Sequence, residues 1–401
     1  MERAALRLKP GKERSLLRRH LWLFSGAVDE VVGLPIDGDV VDVLDAKGGF
    51  LARGHYQRTG SIRCRVLAFR PDEEPEKPAF WEKRISEAVR LRDALGLVRG
   101  AETNACRLVH GEGDRLPGLV ADWYAGVVVV QFHSLGMFRQ QKTIAEALLA
   151  ALKDVGAEVR AIYAQTEQGI HLRGDEGIRE GFLFGKSGPV DILENGLKFR
   201  VDFAQGQKTG FFLDQRDNRA LLGRYCENRA VCNVFAYTGG FSVYALDGGA
   251  TSVDSVEISA VAAAALEENV RLNYGDAAAH RVFCQDAFDF FQAAPMRYET
   301  IVLDPPAFAK HRESVENALK GYRRINRAAI RNIAPGGILF TFSCSQLVSP
   351  ELFREAVFSA AAQAGREARI LHVLHQGPDH PVNLFHPEGE YLKGLVLEIS
   401  G

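Results

Sequence analysis

Four residues able to do chemistry, Glu257, Asp286, Asp304 and Cys344, each follow a short apolar run that suits a buried strand. A carboxylate at a strand tip can accept the hydroxyls of a ribose or the amino group of a base. A thiol in such a place can act as a nucleophile once it ionises, although a single cysteine can equally be inert packing. The first run, 231–235, leads into Phe235-Ala236-Tyr237-Thr238-Gly239-Gly240. Adjacent glycines after a strand let a ligand come close to the backbone. Their spacing is not the glycine triplet of a dinucleotide fold, so no pyrophosphate contact is expected. A cofactor with an adenosine and no phosphates fits better, and S-adenosylmethionine is the obvious one. Taken alone, this stretch also reads as an ordinary strand–turn–helix.

Asp304-Pro305-Pro306 narrows the chemistry. Two prolines stiffen the backbone directly after a strand, which would hold the aspartate rigidly against a pocket and let it grip the edge of a nucleobase. Cys344, between Ser343 and Ser345, then suggests a reaction. Carbon 5 of cytosine is a poor nucleophile until a thiolate adds at carbon 6 and leaves an enamine, which can attack a sulfonium methyl group.

The elements that must position these residues alternate regularly. Strands are expected at 231–235, 252–257, 281–284, 300–303, 338–342, 369–374 and 394–399. Helices are expected through 261–272, over roughly 314–332, and from Pro350. Such alternation implies a doubly wound, mostly parallel sheet whose ligands lie at the carboxyl ends of the strands. Upstream, Glu194-Asn195-Gly196 between apolar runs marks a hairpin. A glycine-hinged segment, 207–216, contributes Thr209 and Arg216 as pocket-closing neighbours, with Asp214 as a helix cap or a pocket residue.

The first 70 residues read as a small β domain with strands at 39–44, 50–56 and 62–69. On the last, Ile62, Cys64 and Val66 should point inward and Arg63 and Arg65 outward. The segment 14–26 mixes arginines with aromatics. Leu21, Trp22 and Phe24 are expected in the core, with Arg18 and Arg19 as contacts for nucleic acid. Residues 71–78 are acidic and proline-punctuated, as a linker would be. A second α+β unit follows to about residue 190. Its His110, Glu112 and Asp114 match no metal motif and suit packing.

A chain of 401 residues, 46% hydrophobic and 25% charged, suggests two or three domains with ample core. The net charge is −2, yet residues 1–20 hold 7 Lys/Arg against 2 Asp/Glu, a basic front compatible with phosphate. No apolar run approaches the ~18 residues needed to cross a bilayer. The six cysteines are scattered without a C-x-x-C pair. Neither disulfides nor a metal is expected, and a reducing cytoplasm is the natural compartment.

The segments HLWLFSGAV, RLVHGEGDRLPGLVAD, GQKTGFFLDQRDNR, VFAYTGGFSVYAL, LDPPAF, GYRRIN, TFSCS and DHPVNLFHPEGEYLKG occur in this order along the chain. In them the sequence resembles the RlmI-type class I ribosomal RNA (cytosine-C5) methyltransferases over essentially its whole length. The resemblance implies an α/β architecture with three parts. These are a PUA-like RNA-binding β-barrel at 1–72, a central α+β domain at 73–190, and a Rossmann-like, seven-stranded methyltransferase domain at 191–401 opened by a hairpin at 191–213. It implies that S-adenosylmethionine is held by Phe235, Tyr237, Gly239, Gly240, Glu257 at the ribose, Asp286 at the adenine, and Asp304, with Thr209 and Arg216 adjoining. It makes Cys344 the nucleophile and places Asp304 between cofactor and base. Asp304, an ordered water and His380 are the candidates for removing the C5 proton. Other 5-methylcytosine RNA methyltransferases carry a second cysteine where Ala307 stands here, with Lys310 close by. The expected partner is ribosomal RNA or a ribosomal subunit, through Arg18, Arg19, Arg63 and Arg65; no membrane partner is expected, and homodimer formation is left open. Two other functions fit less of the pattern. One is methylation elsewhere on an RNA base, at an exocyclic amine or a guanine ring nitrogen; the other is a non-catalytic, RNA-binding ribosome assembly factor.

Overall fold

The computed structural model describes residues 3–165, 180–277, 279–293, 298–309 and 311–401, and Lys310 falls outside them. The chain forms two compact units. The first gathers Met1–Ile192, Val201–Leu213 and Pro378–Gly389; the second gathers Leu193–Arg200, Asp214–Gly377 and Glu390–Gly401. Residues 201–213 and 378–389, expected within the last domain, group by contact with the first unit.

The first unit holds two sheets. One has six strands in the order Trp22–Phe24, Ile62–Ala68, Phe50–Tyr56, Val40–Leu44, Ala5–Leu8, Val28–Val32. The other has five, running Gly181–Gly185, Ala161–Ala164, Val127–Phe132, Leu119–Tyr124, Ala105–His110. Three expectations change here. Phe24 is 43% exposed and Trp22 half-buried, so only Leu21 of that trio is core. Arg65 is half-buried rather than outward, and bonds Gln57 Oε1 at 2.6 Å. Residues 71–78 do not behave as a loose linker. The Trp81 indole donates to Pro75 O at 2.8 Å, and Arg53 donates to Pro71 O and Glu73 O, so backbone carbonyls there are held by buried donors.

The second unit is built on strands β1 (Ala230–Val234), β2 (Ser252–Val256), β3 (His280–Phe283), β4 (Tyr298–Leu303), β5 (Ile333–Ser343), β6 (Ala368–Leu374) and β7 (Lys393–Ile399). Their order is β3-β2-β1-β4-β5-β7-β6. The first five are mutually parallel, and β7 lies antiparallel between β5 and β6. Helices α1 (Arg216–Gly223), α2 (Gly240–Asp247), α3 (Ala260–Tyr274), α4 (Ala287–Ala293), α5 (Val315–Asn332) and α6 (Pro350–Ala364) complete it. Apolar strands such as Tyr298–Leu303 and Ile338–Phe342 are buried on both faces, as parallel strands under helices must be.

The helix boundaries follow local rules. Ser259 accepts from Ala262 N at the start of α3, and Gly275, at φ 69°, ends it. Ser349 accepts from Leu352 N ahead of Pro350 in α6, and Gly365, at φ 70°, closes that helix. Strand β5 begins at Ile333 directly after α5, earlier than the expected 338, and takes in Pro335 and Gly336 as a local distortion, with Gly336 at φ 75°.

Candidate active site

Strand order reverses between β2–β1 and β1–β4, so the crevice for a ligand lies past the carboxyl ends of β1 and β4. The loop after β1 is held in an unusual conformation. Phe235, Tyr237 and Gly239 take φ values of 62°, 47° and 83°, a left-handed region that costs L side chains energy. Three contacts hold it there. Glu257 Oε2 accepts from Tyr237 N at 2.9 Å, Asn269 Nδ2 of α3 donates to Thr238 O at 2.9 Å, and Ala236 N donates to Val256 O. Glu257 Oε1 accepts from Ser259 N, so the half-buried carboxylate joins the loops that follow β1 and β2.

The two glycines have separate reasons. A Cβ on Gly239 would sit 2.6 Å from Leu266 Cγ, and one on Gly240 would sit 2.9 Å from Arg219 Cδ. Arg219 is itself clamped by a buried, two-pronged pair with Glu194 at 2.8 and 2.6 Å. Beneath the loop runs a buried chain of hydrogen bonds, Asn233 to Ser242 to Ser255 to His280. Burial pushes the His280 imidazole down to about 4, against the pull of Asp254.

Asp286 is half-buried, and its Oδ1 accepts from Phe288 N at 2.7 Å, capping α4. Asp304 is also half-buried; its Oδ2 accepts from Gln215 Nε2 at 3.1 Å and its backbone N–H reaches Val234 O at 3.4 Å. That second bond ties β4's tip to β1's tip at the reversal point. Gln215 carries no signal of its own in the 207–216 segment. It is buried, its Oε1 accepts from Asn218 Nδ2, and it aims one amide donor at the aspartate.

Cys344 leaves the end of β5 half-buried, with Sγ 3.9 Å from Pro305 O. Hydroxyls fix its neighbours. Ser343 Oγ donates to Tyr322 OH at 2.9 Å, Ser345 Oγ lies 2.9 Å from the same oxygen, and Ala309 N donates to Ser345 Oγ. Tyr322, from the Gly321-Tyr322-Arg323-Arg324 stretch of α5, therefore links the cysteine strand to the loop after Asp304. Burial raises its phenol above the ordinary value. Lys393, at the start of β7, is also near; its ladder partner is Ser343 and its Nζ donates to Ser345 O at 2.7 Å. No sequence pattern singled it out.

The remaining expected residues have partners of their own. Thr209 is buried in the first unit, where its hydroxyl donates to Asp122 and meets Tyr124 OH. Arg216 is buried at the start of α1, 3.7 Å from Asp217. The N-cap position of α1 belongs to Gln215, and Asp214 Oδ2 accepts from Tyr391 OH at 2.6 Å. His380 is buried in the first unit against His110, with Nδ1 3.2 Å from Asp379.

On the first unit, Arg18 lines an open cleft of about 1030 Å³ with Lys12, Arg14, His20 and Phe24. Arg19 is exposed, at φ 61°. The guanidinium of Arg63 is held by its own loop, donating to Gln57 O and Arg58 O. His20, His386 and Glu388 form a group of three ligand-type side chains, with His20 Nε2 bonded to Glu388 at 3.2 Å. Among the described residues no helix is long and apolar enough to cross a membrane.

The crevice suits an adenosine-bearing sulfonium. It has a loop in left-handed backbone conformation after β1, a carboxylate at the tip of β2, and a second after β3. Relatives agree. A family model described as S-adenosylmethionine-dependent methyltransferase matches residues 106–386, and one for a PUA-like domain matches residues 6–69. Ribosomal RNA large subunit methyltransferase I of Tolumonas auensis is 41% identical over 398 residues, covering 97% of this chain and 98% of the relative. Its Aeromonas hydrophila namesake is 40% identical over 402 residues, covering 98% and 99%. Among solved structures, a Streptococcus mutans chain described as a SAM-dependent methyltransferase aligns at TM-score 0.81 with 22% identity, covering 98% of this chain and 99% of that one. A methyltransferase complexed with SAH aligns at TM-score 0.82 with 23% identity and the same coverage. At those identities the two structures show the fold. The full-length identity to curated relatives, with the two family models, places this chain in the S-adenosylmethionine-dependent methyltransferase family of the ribosomal RNA large subunit methyltransferase I proteins, with a PUA-like domain at its front.

Proposed function

We propose that this protein forms 5-methylcytidine in ribosomal RNA, with large-subunit RNA as its substrate, through a transient bond between Cys344 and carbon 6 of the target cytosine. The observation that carries the reading is the half-buried thiol of Cys344 at the end of β5, against the Asp304-Pro305-Pro306 loop. The substrate class comes from the relatives' names, and the base from the chemistry a thiol makes possible.

S-adenosylmethionine, when bound, supplies a methyl carbon made electrophilic by its sulfonium. Phe235, Tyr237, Gly239 and Gly240 would shape its site, Glu257 would accept from the ribose, and Asp286 from the adenine amine. The protein's task is to make cytosine C5 nucleophilic. The Cys344 thiolate adds at C6, forming the S–C6 bond and moving the C5–C6 π pair onto C5, conjugated with the ring. Asp304, steadied by Gln215 and by the two prolines behind it, accepts from the base edge and holds the ring against the sulfur. After C5 has taken the methyl group, a base removes the C5 proton. Those electrons re-form the C5–C6 double bond and expel the Cys344 thiolate, which restores the enzyme.

The test is Cys344→Ala. It should abolish methyl transfer, a loss of at least ~10³-fold, while calorimetry shows S-adenosylmethionine binding intact. RNA carrying 5-fluorocytidine should trap the wild-type protein covalently and leave C344A untrapped. An active C344A enzyme would overturn the mechanism and point to transfer onto a nitrogen.

A further inference from the structure

Burying a lysine in a protein interior is unfavourable unless an anion or strong acceptors meet it. Lys393 is 6% exposed, and among the described residues it forms no ion pair. Its Nζ donates to two neutral acceptors, Ser345 O at 2.7 Å and Tyr391 O at 2.6 Å. Two carbonyls bond the ammonium and leave its charge unneutralised. The antiparallel pairing of Ser343 with Lys393 sets the lysine beside the strand end from which Cys344 emerges, and Ser345 O anchors the ammonium on the far side of that cysteine.

We infer that Lys393 is a positioning residue for the nucleophile, whose fixed ammonium stands as the counter-charge that keeps the Cys344 sulfur in its thiolate form. This rests on the reading of Cys344 as the nucleophile, and it deepens that reading. A thiol against a proline carbonyl gains no stabilisation of its ionised form from that contact, whereas an ammonium beside it favours the thiolate. Around the cysteine stand Pro305 O from the loop after β4, the Tyr322 hydroxyl of α5 bonded to Ser343 and Ser345, and Lys393 of β7 bonded to Ser345 O. Of these only Lys393 is cationic. On ionisation the thiol proton passes to solvent, and Lys393 keeps all three of its own, two of them bonded to carbonyls. The two bonds stop the ammonium from swinging away, which a solvent-exposed lysine would do. A purely structural lysine, tying Ser345 to Tyr391, would serve equally well without charge, and this is the alternative the test must separate.

The experiment measures the rate of iodoacetamide modification at Cys344 against pH, read by peptide mass spectrometry so that the exposed Cys284 does not interfere. Wild type, Lys393→Met, Lys393→Gln and Lys393→Arg are compared. The two uncharged variants should move the modification profile up by at least ~1 pH unit and cut methyl transfer at neutral pH about tenfold or more, with S-adenosylmethionine affinity unchanged. K393R should keep the profile near wild type. K393Q, which retains an amide donor for the carbonyls, guards against a folding defect in K393M. Superimposed profiles for wild type and K393Q would overturn the inference. Failure of the underlying reading looks different: C344A would stay active whatever the profiles show.

Discussion

The sulfur of Cys344 lies 3.9 Å from the carbonyl oxygen of Pro305, so the ends of β5 and β4 meet through the thiol and the stiff Asp-Pro-Pro loop. Groups 39 residues apart in the chain are thereby held in one crevice, with Asp304 on the same loop.

Gly239 should not tolerate a side chain. Alanine there would adopt φ near 83° and put a Cβ 2.6 Å from Leu266 Cγ. Gly239→Ala is expected to lose about 1–3 kcal/mol of folding stability and to weaken S-adenosylmethionine binding, because the loop must move to relieve the contact. Thermal unfolding and calorimetry read both; wild-type affinity would show that the loop conformation does not define the cofactor site.

Tyr322→Phe removes the oxygen shared by Ser343 and Ser345. The expected cost is about 1 kcal/mol in stability. The more telling result is a fall in kcat with cofactor affinity unmoved, since the change loosens the strand end that carries Cys344. An unchanged kcat would mean that the serines keep their geometry without the phenol.

Lys393 connects activity to stability with opposite signs. Its folded value is held down at about 8 against 10.5 when unfolded, through burial first, with Cys344 and Glu390 pulling the other way. The native state therefore carries a penalty that is fully present below pH 8. It is relieved between about 8 and 10.5, where the native lysine has lost a proton that the unfolded chain retains. K393M should be more stable than wild type at pH 7, by about 1–3 kcal/mol less the cost of two unbonded carbonyls. That margin should shrink as pH rises towards 10. Denaturant midpoints at pH 7 and pH 10 measure it; a margin that grows with pH would contradict the assignment.

Arg18 and Arg19 are exposed, whereas Arg63 and Arg65 are bonded to their own loop. An Arg18→Gln/Arg19→Gln double variant should bind RNA more weakly and lower the salt dependence by roughly 0.7 per lost phosphate contact. Arg65→Gln should alter folding stability and leave that slope alone. Titrations of RNA at several salt concentrations separate the two cases.

The sequence by itself determined the strand–helix alternation of the second unit, the glycine turn after β1, and the places of Glu257, Asp286, Asp304 and Cys344 just past strand ends. Each depends on local periodicity or on backbone rules at single residues, and strand 50–56 has the expected bounds. The positions of Asp304 and Cys344 followed from those strands. Tertiary structure decided which polar atoms meet them. Gln215 at Asp304, Tyr322 at Ser343 and Lys393 beside Cys344 come from elements distant in the chain, and no periodicity records which partner a buried polar atom finds. Burial of Phe24 could not be told from its neighbours, because a three-residue strand shows too little alternation to tell its faces apart. The return of 378–389 to the first unit was equally invisible. It depends on Asp379, whose carbonyl meets Arg92 and whose carboxylate meets Arg107 N, contacts spanning more than 270 residues that only the folded chain brings within hydrogen-bond reach.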